Sequence, residues 1–113
     1  MNTHEKLKLE YADNVMIAYV SDDIDHHRAK GIREGIDARL YADRPERFLL
    51  DMSEVSFMDS SGLGLILGRF TLCRELGIDF ALSNPSREVE KILDLAGTSR
   101  LIRIEKSEKR KDK

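Results

Sequence analysis

The chain of 113 residues is poor in several residue types, with one cysteine, two prolines, three histidines and no tryptophan. The single cysteine, Cys73, excludes an internal disulfide and a metal site built from cysteines alone. No apolar run approaches the roughly 20 residues that cross a bilayer, and the first residues lack the apolar core of a secretion signal. We therefore expect a cytoplasmic protein with no membrane segment and no metal site.

An excess of either charge is also missing, because 19 Lys and Arg against 21 Asp and Glu give a formal net charge of −2. Binding to nucleic acid needs a basic surface that neutralises phosphates, and this balance does not predict one. The one basic stretch, residues 105–113, is expected to be a solvated, charged C-terminal tail. The remaining chain, with its apolar residues in separated runs, predicts one folded domain over residues 7–104.

The hydrophobic pattern predicts two strands followed by three helix–strand units. Strict alternation over 6–11 predicts an outer strand with Leu7, Leu9 and Tyr11 facing inward, joined by a turn at residues 13–14 to an interior strand over 15–20. Apolar steps of three and four predict helices that end near residues 41, 76 and 96. Short apolar runs predict strands over 48–52, 78–82 and 101–104. The order β-β-α-β-α-β-α-β is typical of an α/β domain, a mixed sheet with helices packed on it.

Details of the last two helices also follow from local signals. Gly77 is predicted to end the second helix in a left-handed conformation, and Asn84 followed by Pro85 is predicted to begin the third. Gly64 and Gly68, one turn apart, are expected to let the second helix approach its neighbours closely. The inward side of that helix is predicted to consist of Leu63, Ile66, Leu67, Phe70 and Cys73.

The serines and glycines of this sequence do not have the spacing that known enzyme motifs require. The elbow of a serine hydrolase needs a glycine two residues before its serine, and neither Ser60 nor Ser61 has one. No histidine follows these serines to complete a triad in the order of that fold. Gly62, Gly64 and Gly68 have one residue too many for a dinucleotide-binding fingerprint, and no phosphate-binding loop occurs. We therefore expect no enzymatic activity and no cofactor, and a serine hydrolase is the weakest alternative.

Two adjacent histidines, His26 and His27, point to different sides of a helix and are expected to have helix-start or surface roles rather than to bind a metal. A more informative feature is the start of the second helix, where Asp59, Ser60 and Ser61 follow the central strand. Aspartate and serine are preferred helix caps, so a purely structural role is one interpretation. Gly62 is expected to leave the serines uncovered, which keeps a functional role open.

Acidic residues should surround that helix start. Asp22, Asp23 and Asp25 follow the second strand, and Asp59 follows the third, so they share one edge of the sheet if these strands are parallel neighbours. A phosphate on Ser61 would add roughly −1.5 to −2 charge there, which a helix N-terminus accommodates. A docking partner would have to desolvate this anion beside carboxylates, and a penalty of about 4 kcal/mol weakens binding about a thousandfold. The residues alone thus predict either a phosphorylation switch that acts without refolding or an interaction domain.

Residues 56–69, the sequence Asp25-His26-His27 and the order of elements resemble the STAS-domain anti-sigma factor antagonists, in particular those of the sporulation sigma factor F. The resemblance implies that the unphosphorylated chain binds an anti-sigma factor, itself a serine kinase, and so releases the sigma factor. It further implies that the kinase phosphorylates Ser61 and that a serine phosphatase reverses this step.

The resemblance also implies a docking surface and an alternative. The alternative is a STAS module of a general stress-response system with a different partner kinase. Two departures from the family pattern are the acidic residues 22–25, in place of a Gly-Glu-Leu-Asp turn, and the short charged C-terminus in place of a terminal helix. The residues expected to meet the partner are Asp23, Asp25, Asp59, Ser60, Gly62 and Leu63.

Overall fold

The computed structural model describes residues 7–107 and contains the predicted order of elements. The strands form one sheet in the order β1-β2-β3-β4-β5, in which β1 is antiparallel to β2 and the other pairs are parallel. The predicted α/β class with a mixed sheet is therefore confirmed. The elements are β1 Leu7–Ala12, β2 Val15–Ser21, α1 His26–Asp43, β3 Arg47–Glu54, α2 Ser60–Leu76, β4 Asp79–Ser83, α3 Arg87–Leu95 and β5 Ile104–Glu105.

The first two strands form the predicted hairpin. Asp13 and Asn14 both adopt positive φ, of 53° and 66°, as a two-residue hairpin turn requires. The expected inward position of Tyr11 is wrong, because its side chain is 45% exposed. Its hydroxyl donates to Asp43 at 2.6 Å and accepts from Arg39 at 3.1 Å. Tyr11 thus joins the edge strand to the end of α1 instead of entering the core.

The core lies between one face of the sheet and the helices. In β2 the residues alternate between buried Met16, Ala18 and Val20 and half-buried neighbours, so only one face of this interior strand is fully covered. Phe48 and Leu50 continue the covered face into β3. From α1, the predicted apolar stripe supplies Ile32, Ile36 and Leu40, all buried.

The buried side of α2 differs from the prediction. Cys73 and Ile66 are buried as expected, but Leu65 and Arg69 are buried too, whereas Leu63, Leu67 and Phe70 only pack partly against the core. The helix is therefore turned so that a charged residue faces inward, which apolar periodicity alone could not indicate. Burial raises the pKa of the Cys73 thiol to about 12, as expected for a residue of the core.

The third helix begins at a different cap from the predicted one. Asn84 lies in a left-handed turn with φ of 49°, and its side-chain amide donates to Asp51 at 3.1 Å. Ser86 is the N-cap, because its hydroxyl accepts the N–H of Val89 at 3.2 Å and donates to the carbonyl of Val55 at 2.8 Å. The helix thus starts two residues later than the Asn-Pro signal predicted.

The last strand also lies further along the chain than predicted. Leu101 is 55% exposed in a turn, and the last strand, β5, contains only Ile104 and Glu105. Glu105 therefore belongs to the sheet and not to the expected tail. Residues 108–113, which hold the rest of that tail, and residues 1–6 lie outside the described residues. Within 7–107, no helix is both long and apolar enough to cross a membrane.

Candidate functional site

Two loops meet at the carboxyl end of the parallel pair β2 and β3, and we call residues 22–25 and 55–59 the paired loops. The N–H of Ile24 donates to the carbonyl of Phe57 at 3.1 Å, and the N–H of Asp59 donates to the carbonyl of Ile24 at 3.2 Å. Ile24 and Met58 form an isolated parallel bridge and are both buried. The backbone of each loop is therefore fixed by the other.

Each of the paired loops ends in an aspartate that caps a helix. Asp25 precedes α1 and accepts the N–H of Arg28 at 2.9 Å, and Asp59 precedes α2 and accepts the N–H of Ser61 at 2.8 Å. Both carboxylates thus satisfy orphan N–H groups at the positive end of a helix. The capping interpretation of Asp59 is confirmed, and any contact of these aspartates with a partner remains a prediction.

Ser61 is the second residue of α2 and is half-buried. Its hydroxyl oxygen lies 3.3 Å from Nδ1 of His26, the first residue of α1, at hydrogen-bond distance. The preceding Ser60 is exposed. The histidine expected to have a helix-start role does begin α1, but it also contacts the serine singled out by the sequence.

The hydroxyl of Ser61 opens into a groove between α1 and α2, with a volume of about 650 Å³. Gly64 and Gly68 line this groove, and a Cβ atom added to either would meet no other atom within 4 Å. Their predicted role in close helix packing is therefore wrong. The tight contact belongs to Gly62, where an added Cβ would lie 2.5 Å from the Cβ of Met58. Gly62 is thus required for α2 to pack on the paired loops.

The charge of the groove is opposite to that expected near Ser61. The acidic residues do lie on the paired loops, since register places Ser21 beside Glu54 and Ile24 beside Met58. On the other side of Ser61, however, no carboxylate is found among the described residues that line the groove. The basic side chains along it are His26, His27, Lys30, Arg33 and Arg69.

Arg69 is held at the groove by an ion pair. Its side chain is buried, and Nε lies 2.8 Å from Oδ1 of Asp37 in α1. Burial raises the pKa of Asp37 and lowers that of Arg69, while the charge of each partner opposes the shift of the other. This pair connects the two helices, and Asp37 compensates the charge of Arg69. Lys30 and Arg33 also line the groove, and the charge of Arg33 acts on Asp37 as well.

Sequence reasoning missed one exposed aromatic residue. Phe57 is 56% exposed, although it lies between buried Val55 and buried Met58 in the paired loops. Its own carbonyl accepts from Ile24, so the backbone under the ring is fixed. An exposed ring on an ordered loop is typical of an interaction surface. Its signal in the sequence is an aromatic residue in the connection between β3 and α2.

The residues expected to meet a partner are brought together in part. Asp23, Asp25 and Ser60 are exposed, Asp59 is half-buried, and Gly62 is buried against Met58. Leu63 points partly into the core, so little of its side chain is available to a partner. Within residues 7–107, no cluster of three or more potential metal ligands occurs, and His26 and His27 form no such group.

Comparisons with known proteins point to one family. A family model described as the STAS domain matches residues 6–110. The anti-sigma F factor antagonist of Paenibacillus polymyxa is 31% identical over 99 residues, which cover 88% of this chain and 85% of the relative. The anti-sigma-B factor antagonist of Listeria monocytogenes is 29% identical over 109 residues, covering 96% of this chain and 93% of that protein.

Solved structures agree with these relatives. The anti-sigma factor antagonist SpoIIAA in its unphosphorylated form is 25% identical, with a TM-score of 0.78, over 94% of this chain and 91% of that one. The phosphorylated form of SpoIIAA from Bacillus is 26% identical, with a TM-score of 0.71, over 94% and 96% of the two chains. Similar folds are therefore recorded for both phosphorylation states of that protein.

Proposed function

We propose, because the chain belongs to the STAS domain family, that it is an anti-sigma factor antagonist switched off by phosphorylation of Ser61. The observation that carries the proposal is the position of the Ser61 hydroxyl. It opens into the groove beside the paired loops, at the start of a helix whose cap and backbone are already fixed. A group added there meets solvent and not the core.

In the unphosphorylated state, the paired loops and the first turn of α2 form the docking surface for an anti-sigma factor that is also a serine kinase. Phe57 supplies an exposed apolar contact, and Asp23 and Ser60 supply exposed polar groups around it. Docking of the antagonist releases the sigma factor from the kinase. The site therefore works in the cytoplasm, where sigma factors meet RNA polymerase.

Phosphorylation then ends binding. The kinase transfers the terminal phosphoryl group of its ATP to the Ser61 hydroxyl, which loses its proton, and ADP leaves. The fold has no reason to change, because the α2 N-terminus favours negative charge and the loops keep their backbone hydrogen bonds. Docking would bury a near-dianion, and a penalty of about 4 kcal/mol lowers affinity about a thousandfold. A serine phosphatase restores the hydroxyl by hydrolysis.

The test uses the full chain, an anti-sigma F kinase and ATP. We expect one added phosphate by mass spectrometry, lost in Ser61→Ala and retained in Ser60→Ala, the matched control at the adjacent exposed serine. Ser61→Asp should bind the kinase at least tenfold more weakly than wild type. Phosphate found on Ser60, or full affinity in Ser61→Asp, would contradict the assignment.

A stress-response partner is the second candidate. It is favoured by the similarity to the anti-sigma-B factor antagonist of Listeria monocytogenes, which covers more of the chain than the sporulation relative does. The same phosphorylation assay with an anti-sigma-B kinase, run in parallel, separates the two. The partner that binds more tightly and phosphorylates Ser61 faster identifies the pathway.

A serine hydrolase is the third candidate function, because His26 contacts Ser61 as a general base contacts a nucleophile. A triad also needs a group that orients the base, and the contact with Ser61 is the one hydrogen bond of the His26 ring found within residues 7–107. Hydrolysis of a generic ester without ATP, abolished in Ser61→Ala, would favour this reading over the phosphoswitch.

A further inference from the structure

The surroundings of Ser61 are asymmetric in charge. Toward the loops, the carboxylates of Asp25 and Asp59, which cap the two helices, each accept a backbone N–H. Toward the helices, Ser61 shares the groove with His26 and Lys30 and with no carboxylate among the described residues that line it. An anion on the Ser61 oxygen therefore finds basic side chains with no carboxylate among them on the groove side, whereas on the loop side the guanidinium of Arg28 donates to the carbonyl of Asp23.

We propose that the phosphate of phosphorylated Ser61 is held within the molecule by His26 and Lys30 at the mouth of the groove. This inference rests on the proposed function, since it requires phosphate on Ser61. His26 Nδ1 already lies 3.3 Å from the Ser61 oxygen, and phosphate oxygens extend beyond that atom into the groove. Lys30 follows His26 by one helical turn, so both side chains lie on the same face of α1.

The groove has room for such a group. Gly64 lies three residues after Ser61 on α2, and a side chain there would have open space around it, so the phosphate meets no obstacle on this side. The contact of the His26 ring with the hydroxyl is then replaced by a hydrogen bond from that ring to a phosphate oxygen, which is stronger because the acceptor is charged. No movement of the backbone is required.

The direction in which the second pKa of the phosphate shifts distinguishes a phosphate held in the basic groove from one that lies among the carboxylates of the paired loops. His26, His27, Lys30 and Arg33 on α1 favour the dianionic phosphate and lower its second pKa. Carboxylates would raise it, and those near the site are Asp25 and Asp59 in the caps, exposed Asp23 in the loop, and Asp37, which is paired with Arg69. A phosphate in the groove thus titrates at lower pH than one lying among the paired loops.

The experiment installs phosphoserine at position 61 during synthesis, so that it needs no kinase. The ³¹P resonance is titrated in the intact folded chain and in denaturant. We expect the folded midpoint to lie about one pH unit lower, a tenfold change in proton affinity. His26→Gln and Lys30→Gln should each move the midpoint back toward the denatured value. His27→Gln is the matched control and should move it less, because this neighbouring ring does not contact Ser61.

A folded midpoint at or above the denatured one would overturn the proposal and would place the phosphate among the carboxylates. An equal effect of His27→Gln and His26→Gln would overturn the assignment of His26. Circular dichroism of each variant verifies that the fold is retained. If no kinase phosphorylates Ser61, the proposed function is refuted. The titration can still be measured in that case, because its phosphoserine is installed during synthesis, so the two failures are distinguishable.

Discussion

The paired loops and the edge of the sheet formed by β3, β4 and β5 are held together by different polar contacts. In the strands, side chains bind side chains: Arg47 contacts Asp79 at 3.0 Å and Glu105 at 2.5 Å, and Arg103 contacts Asp79 at 2.7 Å. In the paired loops, backbone groups bind each other and the capping aspartates bind backbone N–H groups.

The difference explains where a binding surface can form. Where backbone holds backbone, side chains such as Phe57 and Ser60 stay exposed and available to a partner. Where ion pairs form between exposed side chains, their charges are satisfied within the molecule, and each pair adds little to stability. Substitutions in the loops should therefore affect packing or docking, whereas substitutions in the ion pairs should affect neither strongly.

The largest effect is expected from Gly62→Ala. The new methyl group would collide with Met58, and such overpacking costs about 1–3 kcal/mol of unfolding free energy. The matched control is Gly68→Ala, which has open space and should stabilise the helix by up to about 1 kcal/mol. Urea denaturation measures both. Labelling of the buried Cys73 thiol at pH 8 should be faster in Gly62→Ala than in wild type. Equal stability of the two variants would contradict the packing account.

A smaller effect is expected from removing the cap of α2. Asp59→Ala should lower the unfolding free energy by about 1 kcal/mol, because the N–H of Ser61 loses its acceptor. Asp59→Asn keeps an acceptor oxygen and should retain most of this stability. If Asp59→Asn nevertheless binds the partner kinase more weakly, the charge itself contributes to docking. Equal losses of stability in both variants would show that the charge, and not the hydrogen bond, holds the helix start.

The smallest effect is expected from Asp79→Asn in the exposed ion pairs. Hydrogen bonds from Arg103 hold the pKa of Asp79 below its ordinary value, and those from Arg47 act in the same direction. The stability that this group contributes is therefore present above about pH 4 and is lost as the pH falls through the lower folded pKa.

The difference in unfolding free energy between wild type and Asp79→Asn should be about 0–1 kcal/mol at pH 7. It should shrink in 1 M salt and vanish at low pH, as measured by urea denaturation at each pH. If Asp79→Asn lowered the unfolding free energy by more than about 2 kcal/mol at pH 7, these exposed ion pairs would contribute strongly to stability, contrary to what we expect.

Most of the fold was predictable because its signals are local. Alternation in β1, the apolar run of β2 and the apolar steps in α1 each predict an element from neighbouring residues alone. The position of Ser61 at a helix start was predictable, because a helix after a central parallel strand follows from the order of elements. The partners of Ser61 were not predictable, since the contact with His26 joins two helix starts 35 residues apart in the chain.

The errors share a cause, which is competition between equally good local signals. Asn84 and Ser86 are both favourable caps, and the choice falls to Ser86 because Asn84 instead donates to buried Asp51. Arg69 is polar in sequence, yet it is buried because Asp37 on another helix compensates its charge. At Asn84 and at Arg69, a contact with a residue distant in sequence determines the structure, and the local sequence pattern does not contain that information.

The bridge between Ile24 and Met58 has a consequence for engineering this fold. Since each loop supplies hydrogen-bond partners for the other, inserting one residue into either loop would shift its register against the other loop and break these hydrogen bonds. A chimera that imports the second loop from another antagonist should therefore import the first loop with it. The two loops are then transferred as one unit, although they lie more than thirty positions apart in the polypeptide.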